Sequence, residues 1–216
     1  DTVFTVAVNH LKAKAGCSSA TGNNVDLGDG QGCWNELRTR AATAFLSWLS
    51  TNPTNVEQSN IIVIGDMNSY AKEDPISVFT SNQYQDLLAK HEGVNAYTYS
   101  YAGEVGSLDH ALATPAMAAM VDDVQVWHIN ADEPHVFDYN IESKSSEQLS
   151  KYYGADAFRA SDHDPVIISL SLPRAQALIG DFDDDQDIDR LDISMFMQRL
   201  RAGEQYGLEY DFNLDG

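Results

Sequence analysis

The segment from Asn60 to Gly65 constrains the fold more than any other part of this sequence. Its core is a run of isoleucine and valine without alternation between apolar and polar positions. A strand with one solvated face alternates, so a continuous apolar run predicts a strand that is buried on both faces. Such a strand needs structure on each side of its sheet, and the chain is therefore expected to adopt a layered fold.

Five segments are typical of β-strands because they are short and rich in valine, isoleucine and leucine. They are Val3–Asn9, Asn60–Gly65, Leu108–Thr114, Val121–Ile129 and Pro165–Leu172. Between the first two, the sequence predicts a helix from about Asn35 to Ser50, because apolar residues recur at helical spacing. These residues are Leu37, Ala41, Ala44, Phe45, Trp48 and Leu49. With a second helix near Pro75–Thr80, the order of elements predicts an α/β fold with a mixed sheet.

The charge of the chain limits its partners. It has 33 acidic and 13 basic residues, a formal net charge of −20, and 43% apolar residues. The apolar fraction excludes a disordered chain, and the charge argues against binding nucleic acid through a simple basic surface. If the protein handles phosphates, metal ions must help. No stretch approaches the roughly eighteen consecutive apolar residues of a transmembrane helix, so we predict no membrane span.

The acidic residues are concentrated at the C-terminal end. Residues 181–216 hold 11 acidic and 3 basic residues, a net charge of −8, and residues 1–180 account for −12. The change in composition follows the last predicted strand. We therefore predict two domains, residues 1–173 and residues 174–216.

Cys17 and Cys33 bracket a loop rich in glycine, serine and asparagine. Their placement favours a disulfide, which would stabilise the fold by about 3 kcal/mol through loop closure. A disulfide would also place the protein outside a reducing cytosol. Two free thiols are the alternative, and a zinc pair is disfavoured because no second Cys or His pair lies at metal-ligand spacing.

Four short polar segments lie at the ends of predicted strands, which is where sites form in α/β sheets. They are Asn9-His10-Leu11-Lys12, Gly65-Asp66-Met67-Asn68, Ser107-Leu108-Asp109-His110 and Ser161-Asp162-His163-Asp164-Pro165. Each alone has a simpler explanation, such as a turn that an Asp or Asn side chain stabilises. The four together, in this order, indicate a functional site.

This series resembles the endonuclease/exonuclease/phosphatase superfamily, the pancreatic deoxyribonuclease-like fold. Within the superfamily, the chain is similar to the secreted bacterial extracellular nucleases. The similarity lies in the cysteine-bracketed loop, in Cys33-Trp34-Asn35 and in the helix that contains Arg38. The resemblance covers about residues 3–172. It implies the C-terminal portion of a two-sheet α/β sandwich and metal-dependent hydrolysis of phosphodiesters, with Mg²⁺ or Mn²⁺ at the catalytic site.

The resemblance also implies roles for single residues. His10 would bind the scissile phosphate and help to protonate the leaving oxygen. Asp66 would orient or deprotonate the attacking water, and Asn68 would donate to the phosphoryl oxygens. Asp162 would bind the divalent ion.

His163 would contact the phosphate, and Asp109 would hold its imidazole in the correct tautomer. Lys12 has two possible roles, because it either contacts the nucleic-acid backbone or is solvated. Asn9 likewise either contributes to the site or forms a turn. His110 is expected to be structural, because alternation along a strand points it away from Asp109. Tyr97, Tyr99 and Tyr101 alternate as one face of a strand, for which packing is favoured over base stacking.

The sequence departs from the family at its beginning. Members have an N-terminal half with a glutamate that is the main metal ligand, and this chain begins at the central histidine motif. We therefore expect the chain to be the C-terminal part of a larger enzyme, inactive or nearly so by itself. The missing N-terminal half is the expected partner.

The acidic tail has the oxygen-ligand spacing of a calcium loop. Carboxylates occupy loop positions 1, 3, 5, 7, 9 and 12, namely Asp181, Asp183, Asp185, Asp187, Asp189 and Asp192. A helix with Ile193, Phe196, Met197 and Leu200 on one face is predicted to follow. A second, truncated loop begins at Asp211, and the pair resembles the dockerin-type calcium module, with Gln186 where glycine is usual. A solvated acidic tail without bound calcium is the alternative.

Three functions remain open from the sequence. The first is an extracellular or cell-surface nuclease that acts on DNA, with RNA as a further candidate. The second is a phosphomonoesterase or a phospholipid or inositol-phosphate hydrolase of the same fold. The third is a non-catalytic, calcium-dependent binding module.

Overall fold

The computed structural model describes residues 2–56, 60–142, 144–172, 180–183 and 187–202. The chain divides into two compact units, Val3–Ser171 and Leu172–Gly216 with Asp1–Thr2. In the described part of the larger unit, the strands are β1 Thr5–Val8, β2 Ile61–Asp66, β3 Gln85–Asp86, β4 Tyr99–Tyr101, β5 Glu104–Gly106, β6 Asp109–Ala113, β7 Val121–Val126 and β8 Val166–Leu170. Its helices are α1 Asn35–Leu49, α2 Asp74–Thr80, α3 Leu87–His91, α4 Pro115–Ala118 and α5 Ser146–Tyr152.

The predicted buried strand is the centre of a four-stranded sheet with the order β1-β2-β6-β3. Strand β1 is parallel to β2, whereas β6 is antiparallel to both β2 and β3. Two further pairs, β4–β5 and β7–β8, are antiparallel. The α/β class with a mixed sheet is therefore confirmed.

Strand β2 is buried on both faces, as its unbroken apolar run predicts. Val63 packs on one side with residues of α1 and α2, such as Ala42 and Phe79. Ile62 packs on the other side with residues of α3 and β7, such as Leu88 and Val124. Burial of each such side chain stabilises the fold by about 1.5–3 kcal/mol. The β7–β8 pair thus forms a second sheet layer on the four-stranded sheet.

Helix α1 has the predicted extent but not the predicted buried face. Leu37 and Trp48 are 41% and 52% exposed, whereas Arg38 is completely buried. The apolar spacing placed Leu37 and Trp48, and also Ala44, on the buried face, which is wrong because all three are exposed. The guanidinium of Arg38 has four hydrogen-bond partners inside the fold, and these compensate for its burial.

The predicted end of strand β7 is also wrong: it ends at Val126 rather than at Ile129. The backbone N–H groups of Ile129, Asn130 and Ala131 donate to Oδ1 of Asp164 instead of to a neighbouring strand. A buried carboxylate that accepts three backbone donors stabilises this turn, and it draws the chain after β7 towards the segment before β8.

The predicted disulfide between Cys17 and Cys33 is present, with 5.5 Å between the two Cα atoms. The loop that it closes contains two short 3₁₀ turns, Cys17–Ser19 and Gly22–Asn24, without buried residues. Because the loop lacks a core of its own, the covalent link limits its freedom.

The smaller unit contains helix α6, Arg190–Ala202, after the predicted calcium loop. The Phe196 ring stacks on Phe182, with 5.5 Å between the ring centroids. Asp185 and the second predicted loop, which begins at Asp211, lie outside the described residues. Nowhere in the described ranges does a helix combine the length and apolar character that crossing a bilayer requires.

Candidate active site

Sheet register brings the first three motifs together at one edge of the sheet. Strands β1 and β2 are parallel, so the segments that follow them leave the sheet side by side, and the Leu11 amide donates to the Asp66 carbonyl at 3.0 Å. In the antiparallel pair β2–β6, Asp66 lies directly opposite Asp109. Residues paired in this way have their side chains on the same face.

Gly65 permits the close approach of the first two motifs. Its φ is +130°, and a Cβ at this position would lie 2.0 Å from the Asn9 carbonyl oxygen. No side chain larger than hydrogen fits there without moving the Asn9 backbone. The glycine before Asp66 therefore sets the distance between the two loops.

The fourth motif joins the site through His163. Its Nδ1 lies 2.6 Å from Oδ2 of Asp109, which also accepts a hydrogen bond from the Thr98 hydroxyl at 2.6 Å. Burial alone would lower the pKa of His163, but the hydrogen bond and charge of Asp109, with the charges of Asp66 and Asp162, raise it above its ordinary value. The Asn130 side chain donates to the His163 carbonyl at 2.7 Å and fixes this loop from the other side.

Asp66 lies among Asn68, Asp109 and His10. Burial raises the pKa of Asp66, and the charge of Asp109 adds to this, whereas the Asn68 backbone N–H opposes it. That N–H donates to Oδ1 of Asp66 at 2.7 Å, and Nε2 of His10 lies 3.3 Å from Oδ2. The His10 side chain is 73% exposed, so a substrate can reach it.

Asn68 acts on Asp66 in this structure. It is 7% exposed and has a left-handed φ of 46°. Its Nδ2 donates to Oδ2 of Asp66 at 3.0 Å and to the Leu11 carbonyl at 3.1 Å. Both N–H bonds are therefore used within the protein, and donation to a phosphoryl oxygen requires the release of one.

The remaining motif residues lie at the margin. The Lys12 ammonium donates to the carbonyls of Ala13 and Ala15 and lies 5.2 Å from the centroid of the Trp34 ring. Asn9 contacts the Met67 sulfur at 3.8 Å. Asp162 is exposed, although its charge acts on His163. The roles of Asn9, Lys12 and Asp162 stay predictions.

His110 points away from this cluster. Its side chain is 1% exposed, Nε2 lies 2.8 Å from the Ser69 carbonyl, and Nδ1 lies 3.5 Å from Oδ2 of Asp86. It thus bonds the loop that contains Asp66 and Asn68 from beneath.

Sequence reasoning gave no role to a buried charge cluster under the same loop. Arg38 donates to the Ser69 hydroxyl at 3.2 Å, and also to the carbonyls of Gln31, Cys33 and Lys12. Its Nη2 lies 3.6 Å from Glu73, which also pairs with Lys14. Burial raises the pKa of Glu73, opposed by Lys14 and Arg38. One arginine therefore connects the disulfide loop, the histidine loop and the Asp66 loop.

Among the residues that the structure describes, three groups of side chains could hold a cation. Asp66, Asp109 and His163 each offer one ligand atom, and these atoms lie within 4.8 Å of one another. In the smaller unit, the same holds for two groups that share Asp192: Asp181 and Asp183 with Asp192, and Asp187 and Asp189 with Asp192. Asp192 is 1% exposed and accepts the backbone N–H groups of Phe182 at 2.6 Å and Asp189 at 2.7 Å.

The chain matches no family model. It is 32% identical over 133 residues to "Ulvan lyase, long isoform" of Glaciecola sp. (strain KUL10), a match that covers 61% of this chain and 12% of that protein. It is 30% identical over 146 residues to the protein of the same name from Alteromonas sp. (strain LOR), with 67% and 13% covered. The chain thus spans about an eighth of the length of these relatives.

Several solved structures are similar to the chain, and two of them are from Neisseria. A 3'-5' exonuclease from Neisseria meningitidis has a TM-score of 0.39 and 20% identity, over 62% of this chain and 52% of that one. A 3' phosphatase from Neisseria, bound to a product DNA hairpin, has a TM-score of 0.37 and 21% identity, over 61% and 51%.

Proposed function

We propose that this chain contributes catalytic residues to a metal-dependent phosphodiesterase, namely a secreted nuclease that degrades DNA, with RNA as a further candidate. The observation that supports this most strongly is the convergence of Asp66, Asp109 and His163, whose ligand atoms lie within 4.8 Å. His10 lies at the exposed side of the same cluster. Hydrolysis of a phosphodiester needs an oriented water, a proton source and compensation of negative charge, and these side chains suit those tasks.

The donor set fits Mg²⁺ or Mn²⁺. Mg²⁺ usually binds one or two carboxylates together with substrate phosphate oxygens and water. Asp162, whose carboxylate is exposed, is the proposed ligand, and Asp66 offers a half-buried carboxylate as a further oxygen donor. When bound, the cation supplies positive charge that stabilises the charge developing on the phosphoryl oxygens.

The proposed roles of Asp66 and His10 follow from their positions. Asp66 accepts the backbone N–H of Asn68, which fixes the carboxylate plane, and it orients the attacking water. His10 lies next to it with Nε2 at 3.3 Å and most of its ring in solvent. An exposed imidazole at this point donates a proton to the leaving oxygen.

The proposed role of His163 depends on Asp109. In the proposed tautomer, the Nδ1–H group of His163 donates a hydrogen bond of 2.6 Å to Oδ2 of Asp109. Nε2 is then left for the substrate phosphate, and the carboxylate keeps the ring in place. Thr98 holds the other end of this arrangement through its bond to Asp109.

We further propose that another segment completes the site, the expected N-terminal half of the domain. Strand β1 has one neighbour in the described sheet, and its Val6 and Val8 are 48% and 73% exposed. A strand edge with exposed valines favours pairing with another strand. By itself, the 216-residue chain is expected to have little or no activity.

Two other catalytic functions are candidates. A phosphomonoesterase or a phospholipid or inositol-phosphate hydrolase would use the same residues on a smaller substrate. A polysaccharide lyase is favoured by the identity to proteins named ulvan lyase. The matched region is 12–13% of the length of those proteins. The lyase activity extends to this chain only if the catalytic residues of those proteins lie within the matched region.

For the smaller unit, we propose calcium binding. Asp192 is the shared member of two carboxylate groups, and its oxygens already accept two backbone N–H bonds, which preorganises the loop. A calcium-dependent binding module without catalysis is the candidate function from another class.

An extracellular or cell-surface location is proposed because disulfides such as Cys17–Cys33 persist in oxidising compartments.

The test is DNA degradation with Mg²⁺ and Ca²⁺ by the full-length protein, which is the larger enzyme that contains this chain and the proposed N-terminal half. His10→Ala and Asp66→Ala variants of that protein are measured beside it. We expect the wild type to degrade plasmid DNA and both variants to lose most of the activity. Equal degradation by all three would refute the assignment of the site. Hydrolysis of an inositol phosphate, or cleavage of ulvan, without DNA degradation would support one of the other candidates.

A further inference from the structure

Hairpin β4–β5 has an aromatic face next to the candidate active site. Tyr99 pairs with Gly106 and Tyr101 pairs with Glu104 in the antiparallel register. Residues opposite each other in such a pair share a face of the hairpin. Tyr99, Tyr101 and Gly106 therefore lie on one side, and Ser100 and Val105 lie on the other.

Gly106 makes room on this face for a third ring. A Cβ at Gly106 would lie 2.6 Å from Cε1 of Tyr70. The Tyr70 ring thus occupies the place that a side chain would take opposite Tyr99. Tyr70 follows the Asp66–Asn68 loop in sequence by two residues, so the aromatic face is continuous with the candidate site.

The stack of rings begins at His163. Its ring centroid lies 4.7 Å from that of Tyr99, and the two residues also form a backbone bridge. The Tyr101 ring continues the series, nearly parallel to Tyr99 with an angle of 11° and 6.4 Å between centroids. The series therefore runs from the histidine proposed to contact the phosphate out to the solvent.

The packing function that sequence reasoning favoured for these tyrosines does not explain Tyr101. It is 68% exposed, so its ring is not part of a core. Tyr97, by contrast, stacks on His128 at 4.2 Å and donates to Asp132, so it belongs to a different contact. Tyr101 therefore presents an exposed aromatic face beside the half-buried ring of Tyr99.

We propose that Tyr99 and Tyr101 form a stacking surface for unpaired bases that flank the scissile phosphate, so that the substrate of the proposed nuclease is single-stranded or locally unpaired polynucleotide. This inference rests on the proposed function. Base stacking on aromatic side chains is worth about 1–3 kcal/mol per base and does not depend on base identity. A base inside a duplex already stacks on its neighbours and offers no free face, so the surface selects unpaired strands.

Stacking also suits the charge of this unit. Residues 1–180 have a net charge of −12 and so little general attraction for a polyanion, and Glu104 lies on the same hairpin face as Tyr101. The base faces are uncharged, so binding through them avoids this repulsion. Lys72, which lines a cavity of about 610 Å³ together with Tyr70 and Gly106, is available for a backbone phosphate.

The experiment measures binding of the full-length protein to two fluorescein-labelled single strands with the same backbone. One is oligothymidylate, and the other has abasic tetrahydrofuran units in place of its thymidines. We expect the strand with bases to bind about 5–150-fold more tightly, which corresponds to one stacked base. Tyr101→Ala should reduce this difference, whereas Tyr101→Phe should retain it because the ring remains.

Tyr139→Ala is the matched control, since Tyr139 is 65% exposed and lies outside the hairpin. It should leave the difference between the strands unchanged. Equal binding of both strands by the wild type, or an undiminished difference in Tyr101→Ala, would overturn the proposal. So would Tyr101-dependent binding of a sulfated polysaccharide in place of the oligonucleotide.

Failure of this inference can be distinguished from failure of the proposed function. DNA hydrolysis with a base preference that ignores Tyr101 would refute the stacking surface alone. Tyr101-dependent preference for bases without hydrolysis would refute the nuclease and leave the surface as a binding site.

Discussion

Nδ1 of His163 lies 2.6 Å from Oδ2 of Asp109, although the two residues are 54 positions apart in the chain. Asp109 begins β6 opposite Asp66, and His163 is held by its bridge to Tyr99. The sheet register and one loop contact thus place both carboxylates at the same imidazole. The proposed hydrolysis depends on this arrangement.

The loop beneath the site should depend on Arg38. Arg38→Met removes bonds to the Ser69 hydroxyl and to three carbonyls, and leaves Glu73 buried with Lys14 alone. Breaking a buried ion pair costs about 3–5 kcal/mol, so we expect a loss of this size in the free energy of unfolding. Urea unfolding measures it.

Arg40→Ala is the control for this change, because Arg40 is exposed on the same helix. Its effect should stay within about 0.5 kcal/mol. Arg38→Lys should recover only part of the loss, since an ammonium cannot reproduce the planar fork of donors. Equal stability of Arg38→Met and the wild type would contradict the role of Arg38 as a connection between three loops.

Asp86 should make stability depend on pH. Burial would raise the pKa of Asp86, but the hydrogen bond and charge of His110, with the backbone N–H groups of Ala89 and Leu88, lower it below its ordinary value. A depressed pKa in the folded state stabilises the fold above the unfolded pKa of about 3.9, and this contribution is lost as pH falls through the folded pKa. Asp86→Asn should therefore be less stable than the wild type at pH 7, and the difference should vanish in acid.

Asp86→Ala separates the charge from the helix cap. The Asp86 side chain also accepts the Ala89 N–H at the start of α3, a cap worth about 1 kcal/mol. An asparagine side chain can keep this cap and an alanine side chain cannot. Asp86→Ala should therefore remain less stable than the wild type even at low pH. Thermal melts between about pH 1.5 and 7 measure both, and a difference for Asp86→Asn that is constant over this range would rule out the charge effect.

Gly65 should tolerate no side chain. Gly65→Ala places a Cβ 2.0 Å from the Asn9 carbonyl oxygen, so either the histidine loop or β2 must move. Gly103→Ala is the matched control, because Gly103 also has a positive φ, +85°, but a Cβ there would meet open space. The control should lose about 1–2 kcal/mol from backbone strain alone, and Gly65→Ala should lose clearly more in urea unfolding. Equal losses would show that the close approach does not matter.

The smaller unit should respond to calcium. Removal of Ca²⁺ leaves Asp181, Asp183 and Asp192 to repel one another, so its thermal transition should shift to lower temperature on addition of EGTA. At about 100 times the dissociation constant, the ion stabilises by about 2.7 kcal/mol. Asp192→Ala should abolish this response, while Asp156→Asn, an exposed carboxylate of the larger unit, should retain it. A transition that EGTA does not move in the wild type would contradict a calcium site.

The sequence predicted the central sheet because burial on both faces leaves an unbroken apolar run, as in Ile62 and Val63. It also predicted one functional site for the four motifs, and three of them meet because β1, β2 and β6 are neighbours in the sheet. The fourth joins through the contact between His163 and Asp109. It did not predict Arg38 as a buried residue, because helical spacing cannot show that four loop acceptors will surround a cation. The exposure of Tyr101 was not predicted for a similar reason. Alternation shows that the rings of Tyr99 and Tyr101 share a face but not whether that face is covered.

The central claim is that Asp66, Asp109 and His163 form one hydrolytic site, and the rate of DNA hydrolysis by the full-length protein tests it most directly. His163→Ala and Asp109→Asn should each lower kcat by about 10²–10⁴-fold. The double variant should lose little more than either alone, because the two side chains act as one unit. Asp156→Asn should hydrolyse DNA like the wild type. Unchanged kcat in His163→Ala, or independent and multiplicative losses in the double variant, would contradict the account.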